Sequence, residues 1–462
     1  MKYTEKKVKD IKIAYIGGGS RGWAWTLMND LALAPDISGE VRLYDIDYKA
    51  AQDNEIIGNK YNSAEGCKSK WKYKAVETLQ KALKGADFVI ISILPATFDE
   101  MESDVHTPEK YGIYQSVGDT NGPGGIIRAL RTLPMMREIA AAVKKNCPDA
   151  WVINYTNPMT LCVSMLYKEF PEIKAFGCCH EVFGTKWLLT YALKDILGLP
   201  QLDRDAVKVN VLGVNHFTWI TEAKYKNIDI YPVYKEFAEK YKDEGYGKTE
   251  PITLDTPFAD AKKVKFDLFR RFGVIAAAGD RHLAEFCPGD WYLKGLDYAR
   301  GWGFNLTEVK WRKKDLENRL EKSRKLISGE TEIKLFKSEE EGVKQIRALL
   351  GLGDFVTNVN LPNRGQIPNL PLGAIVESNA AFRDSSLTPV FAGNIPDSIY
   401  ALISKTVGQQ KMILGAAYDY DLEKAFTAFT NDTLVTLNTA DARKLFDEMI
   451  ENTKAYLTDY FK

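Results

Sequence analysis

Residues 177–184 read GCCHEVFG and close an apolar run, IKAFGCC. Cys178, Cys179, His180 and Glu181 offer thiol, imidazole and carboxylate side by side. A disulfide between neighbours fits poorly, because adjacent Cα atoms lie ~3.8 Å apart, below the usual span of a bridge. Thiolate and imidazole are ligands for divalent metals. An imidazole, with an ordinary pKa near ~6.5, also suits proton transfer. On a strand, neighbouring side chains point to opposite faces, so only one of the two cysteines faces a cleft.

The chain holds four histidines. Three stand in polar stretches that follow apolar segments: His180, His216 in LGVNHFTW, and His282 in AAAGDRHLAEF. The last stretch also carries Asp280, Arg281 and Glu285. NYTNP adds Asn154 and Asn157, and QSVGDTNGPGGIIRALR adds Asp119, Arg128 and Arg131. One such histidine reads as packing; three read as a shared site. There a cysteine and a histidine from two strands would hold a divalent metal and leave positions open for substrate.

A second chemistry lies near the start. IKIAYI runs into GGGS, that is Gly17, Gly18, Gly19 and Ser20. Gly17, Gly19 and Gly22 satisfy GxGxxG, with a strand before, a helical stretch after, and Asp45 23 residues beyond Gly22. The glycines let the backbone approach a pyrophosphate at a helix N-terminus. Asp45 would accept from a ribose 2′-hydroxyl and repel a 2′-phosphate, which favours NAD over NADP. Asp47 is a rival for the ribose, and Ser20 and Arg21 would line the phosphates.

Strands must deliver these groups. IKIAYI, VRLYDID, ADFVIISILP, AWVINYTNP and IKAFGCC alternate with helical stretches, which indicates an α/β fold with a Rossmann-like, doubly wound parallel sheet. Ligands bind beyond the carboxyl ends of such strands, where the polar clusters fall. After about residue 205 the pattern becomes mixed α/β, with strands in VKVNVLGVNHFTWITEAKY and helices at 311–328 and in the tail. We therefore expect a cofactor domain over 1–205 and a catalytic, substrate and oligomerisation domain over 206–462. Lys+Arg and Asp+Glu balance at 62 each, which gives nucleic acid or anionic membrane nothing to attract. No stretch approaches the ~20 apolar residues of a membrane helix. Sparse, unpaired cysteines and a charged start point to a reduced, cytoplasmic protein.

GGGS, GDTNGPGG, NYTNP, CHEV and VNHFTW stand here in the order found in glycoside hydrolase family 4. The resemblance runs over essentially the whole chain, including NVNLPNRGQIPNLP. CHEV, Cys179 to Val182, resembles the signature of the α-galacturonidase members. The resemblance implies a lactate/malate dehydrogenase-like superfold, NAD, Mn²⁺ and a homodimer or homotetramer. It implies Cys179 and His216 as metal ligands and a small uronic-acid-containing oligosaccharide as substrate. It further implies hydrolysis through oxidation at C3 of the sugar, loss of the C2 proton, elimination, addition of water and re-reduction. Phospho-glycosidase members use a tyrosine as base; GDRHLAEF in the comparable region makes Asp280 the candidate. They place an aspartate after the metal cysteine; His180 stands there, leaving the acid open among His180, Glu181 and a metal-bound water. Asp119 would contact substrate or the acid. Asn157 would lie between nicotinamide and sugar, with Asn154 near, and Arg281, Arg128 or Arg131 would meet the uronate carboxylate. Alternatives are an α-glucuronidase or neutral-sugar α-glycosidase of the family, an NAD-dependent 2-hydroxyacid dehydrogenase and a non-catalytic NAD-binding sensor.

Overall fold

The computed structural model describes residues 1–247 and 258–462. Six parallel strands form the centre of a ten-stranded sheet. Their order across the sheet is Lys174–Gly177, Trp151–Asn154, Phe88–Ile91, Lys7–Ile16, Ile37–Tyr44 and Trp71–Ala75. The chain starts in the middle and winds outward both ways, so the order reverses between Lys7–Ile16 and Phe88–Ile91. A crevice opens at such a point, beyond the strand ends. The apolar runs VII and IAYI are buried there, as expected of strands covered on both faces.

The strand Trp71–Ala75 is absent from the sequence reading. Its WKYKA pattern buries Trp71, Tyr73 and Ala75 and exposes the two lysines at the sheet edge. Lysines on an edge strand hinder pairing with another chain.

The same sheet continues beyond Lys174–Gly177 into three antiparallel strands from the second half: Phe355–Pro362, Ile375–Arg383 and Ser386–Pro389. A smaller antiparallel sheet holds the hairpin Lys208–Val214 and Phe217–Tyr225, with the short strands Ile228–Asp229 and Ile275–Ala276. The tail forms the helix Thr439–Thr453 and buries Leu445, Phe446, Met449 and Ile450, the face its spacing marks out. The charged stretch forms the helix Val309–Ser328. Among the described residues no helix is long and apolar enough to cross a membrane.

Candidate active site

The glycine turn leaves the strand Lys7–Ile16 at the reversal point and enters the helix Trp23–Leu33. Gly17 has φ +90°, and a Cβ there would meet Ser92 O at 1.9 Å, so only glycine fits. Gly17 and Gly18 both donate their N–H to Tyr44 O, and Ser20 donates to Gly17 O. The helix starts at Gly22 with no side-chain cap and no acid in its first turn. Its first N–H groups thus stand ready for an anion. Arg21 Nε is buried without a partner beside this turn. Asp45 Oδ2 accepts from Gly19 N at 2.9 Å, while Asp47 is committed as the N-cap of the helix Tyr48–Tyr61. These residues fit a dinucleotide, with Asp45 rather than Asp47 facing the turn.

Cys179 follows the strand Lys174–Gly177, and His216 sits in the loop of the hairpin. Their Sγ and Nε2 atoms are 3.3 Å apart. A sulfur at ~2.3 Å and a nitrogen at ~2.1 Å from one ion, at ~90–110°, stand about 3.1–3.6 Å apart, so the pair, at 3.3 Å, fits a shared divalent metal. Among the described residues no group of three or more His, Cys, Asp and Glu side chains gathers as a metal cage. The arrangement is an open pair, with coordination positions left for other ligands.

The proton on His216 is placed by its neighbours. The Thr120 hydroxyl donates to Asp119 Oδ1 at 2.7 Å, so its oxygen accepts from His216 Nδ1–H at 3.1 Å. Nε2 is then the bare nitrogen and faces Cys179, the tautomer a metal needs. Burial, with His282 beside it, pushes the His216 pKa down to about 3, so the ring is neutral. Burial, reinforced by Glu377 and Glu181, holds the Cys179 thiol well above its ordinary value. A metal would therefore displace the thiol proton on binding. His216 also has φ 137°, a backbone conformation that side-chain-bearing residues rarely adopt.

Cys178 and Cys179 do point apart. Cys178 packs in the cluster with Tyr155 and Val343 and donates to Gln345 Oε1, whereas Cys179 packs against Met159, Val163 and Ile375. All six cysteines are free thiols.

His282 lies against His216, ring centroids 4.1 Å apart, and its Nδ1 is 3.2 Å from Glu181 Oε2. Burial would lower the His282 pKa, but the Glu181 carboxylate prevails and raises it. Burial would raise that of Glu181, but His282, by charge and hydrogen bond, takes it well below the ordinary range. Asp119 behaves alike: burial opposes its charge, and Arg128, with His282, brings it down to about 2. Asn157 Nδ2 reaches Asp119 Oδ2 at 3.4 Å, and Asn157 Oδ1 is buried without a partner. The structure thus brings together Cys179, His216, Asp119, Asn157, Glu181 and His282.

The other expected residues stand in different surroundings. His180 is exposed, pairs with Glu340 at 3.1 Å and stacks on Trp23. Asp280 is fully buried, and its two oxygens accept from Val264 N and Lys265 N at the start of the helix Lys263–Phe272. Burial pushes its pKa up to about 7. Asp280 and His282 are two apart on the helix Asp280–Phe286, and residues so spaced leave a helix on opposite sides. Asn154 is buried and closes its own turn through both Thr156 N and Thr156 O. Arg281 donates to Asn305 O, Ser116 O and Thr307 Oγ1, and Arg131 makes a two-pronged buried pair with Asp104.

Two supports escaped the sequence reading. Thr120 is one. The other is Glu377, buried near Cys179, which accepts from Asn215, Asn358 and Asn360. Asn358 and Asn360 alternate along an otherwise apolar strand, a polar stripe that could have revealed it.

The model of the family 4 glycosyl hydrolases matches residues 12–195, and that of their C-terminal domain matches residues 211–435. The chain belongs to glycoside hydrolase family 4. It is a glycosidase. An α-galacturonidase of Thermoanaerobacterium saccharolyticum is 62% identical over 99% of this chain and 98% of its own. A Bacillus subtilis structure described as a glucosidase, lplD, superposes with TM-score 0.91 at 50% identity over 96% of this chain and all of that one. At 21% identity, a 6-phospho-α-glucosidase from gut microorganisms, solved with NAD and Mn²⁺, shares the fold with TM-score 0.77 over 97% of this chain and 99% of that one.

Proposed function

We propose that this glycosidase hydrolyses α-galacturonosides and releases galacturonic acid, with NAD at the glycine turn and Mn²⁺ at Cys179 and His216. The observation that carries the reading is the Cys179–His216 pair, its imidazole held in the metal-binding tautomer at the end of a dinucleotide-type sheet. The 62% identity to an α-galacturonidase supports the substrate. When bound, NAD accepts hydride from C3 of the sugar and returns it, and the divalent ion polarises the neighbouring sugar oxygens. Oxidised at C3, the sugar loses its C2 proton more readily. The C1–O bond then breaks by elimination, and water adds before re-reduction.

The chain's own residues do the rest. Cys179 and His216 hold the ion. Thr120 and Asp119 fix the His216 proton on Nδ1. The glycine turn with Arg21 takes the pyrophosphate, and Asp45 takes the ribose. Asn157 Oδ1, buried and unpartnered, accepts from a sugar hydroxyl. Glu181 raises the His282 pKa and so favours its charged form beside Cys179 and His216, and we assign proton transfer to the Glu181–His282 pair rather than to His180. Asp280 braces the helix behind it. Six free thiols fit a cytoplasmic setting.

The test is incubation with an α-galacturonoside, NAD and Mn²⁺ in D₂O, followed by NMR. Cleavage that needs both additives, with deuterium at C2 and no net NADH, is expected. Cleavage without C2 exchange overturns the mechanism. Cleavage of α-glucuronosides or neutral α-glycosides alone overturns the substrate.

A further inference from the structure

The uronate carboxylate needs a cation, and the arginines around Asp119 differ in how far they are already used. A carboxylate is best held by two parallel N–H groups of one guanidinium. Either fork of an arginine includes Nη2. Arg281 spends Nη2 on Ser116 O and Thr307 Oγ1 and Nε on Asn305 O, so it has no complete fork to offer. Arg131 is closed by Asp104. Arg128 is tied through Nε to Asn157 O, and its charge is answered by Asp119 and Asp104.

Arg312 is different. It lies in the first turn of the helix Val309–Ser328. Among the described residues it has no hydrogen bond and no ion pair. Its Cζ stands 5.0 Å from the Phe258 ring centroid and 5.3 Å from that of Trp311, and these rings meet edge to face. Aromatic faces hold a guanidinium by its plane and leave the N–H groups at its rim free. The same Phe258 ring also carries Arg281, whose Cζ stands 5.3 Å from its centroid and which donates to Ser116 O in the loop that leads to Asp119, so Arg312 borders that loop. A half-buried, charged and unpartnered arginine next to a reaction centre is costly unless something anionic arrives.

We propose that Arg312, oriented by Phe258 and Trp311, receives the C6 carboxylate of the sugar and sets the preference for uronic acids over neutral sugars. The inference rests on the galacturonoside reading above and names the residue that enforces it. A neutral sugar carries a hydroxymethyl group at C6, which leaves the guanidinium unanswered.

The experiment compares D-galacturonate with D-galactose, which differ only at C6, as ligands of the protein loaded with NAD and Mn²⁺. Calorimetry gives both dissociation constants for the wild type, Arg312→Gln and Arg312→Lys. The wild type is expected to prefer galacturonate on the order of 100-fold, as for a charge-assisted fork. Arg312→Gln should bring the ratio to about 5 or less, and Arg312→Lys should fall between, because an ammonium lacks the fork. Melting temperatures of the variants report folding separately. A wild-type preference that survives in Arg312→Gln within about twofold overturns the role of Arg312 and leaves the substrate reading standing. Equal weakening of both sugars also overturns it and makes Arg312 structural. A wild type with no preference for galacturonate overturns the substrate reading, and this inference falls with it.

Discussion

His216 Nε2 faces Cys179 Sγ at 3.3 Å, while its other nitrogen is held by Thr120, whose hydroxyl is pinned by Asp119. The Cys179–His216 pair is therefore the visible end of a four-residue chain. Thr120→Val removes the acceptor that keeps the proton on Nδ1. Mn²⁺ affinity should drop about 10- to 100-fold, with little change in melting temperature. Cys179→Ala should abolish Mn²⁺ binding. Electron paramagnetic resonance titration of free Mn²⁺ reads both; unchanged affinity in Thr120→Val would show that the tautomer is set elsewhere.

The roles of His282 and Asp280 separate in kinetics. His282→Gln should lower kcat by about 10²- to 10⁴-fold while the protein still melts normally. Asp280→Asn keeps one acceptor of the two and should cost stability, about 1 kcal/mol, with kcat within roughly tenfold. The reverse pattern would exchange the two assignments.

Glu285 supplies a pH signature. One of its oxygens accepts from Val117 N and Gly118 N, bracing the loop that carries Asp119. Burial pushes its pKa from 4.5 up to about 7. The folded state thus binds this proton more tightly than the unfolded state. The resulting stability is complete below the unfolded value and is lost as pH rises through about 7. Denaturant titrations of metal-free protein at pH 4 and pH 8 should show Glu285→Gln losing less stability on going alkaline than the wild type, by on the order of 3 kcal/mol. Parallel curves for the two proteins would contradict the shift.

Gly17→Ala tests the turn. With φ +90° and backbone oxygen 1.9 Å from the added carbon, the substitution has no relaxed solution. It should destabilise by about 3 kcal/mol or more, read in thermal melts, and weaken NAD binding in whatever fraction folds.

The glycine turn was legible because a phosphate-binding loop is built from consecutive residues between a strand and a helix. The central strands Lys7–Ile16 and Phe88–Ile91 were legible because burial on both faces leaves the unbroken apolar runs IAYI and FVII. Trp71–Ala75 was missed because an edge strand alternates lysine with aromatic residues and looks polar. Cys179 and His216 were joined only through the family resemblance: they are 37 residues apart, and nothing in their spacing shows that the packing of the hairpin against the sheet brings them together. His282 was visible as a residue but its pairing was not, since its partner Glu181 lies on another helix. Arg281, Arg128 and Arg131 stood out in sequence because they lie in polar stretches near the strand ends, whereas Arg312 sits in a uniformly charged helix; what separates them is which hydrogen bonds the fold has already made.

The central sheet is shared by both ends of the chain. Asn360 pairs with Gly177, immediately before the two cysteines, and Phe355–Pro362 is itself backed by Ile375–Arg383. A fragment ending near residue 205 would leave the backbone of Lys174–Gly177 unpaired on its outer side, a raw border that invites association with other chains. The first half is thus no transplantable module. Evolution could diversify the sugar end of this enzyme by point substitution far more readily than by exchanging halves, because a recombination junction after residue 205 would cut the scaffold that seats Cys179.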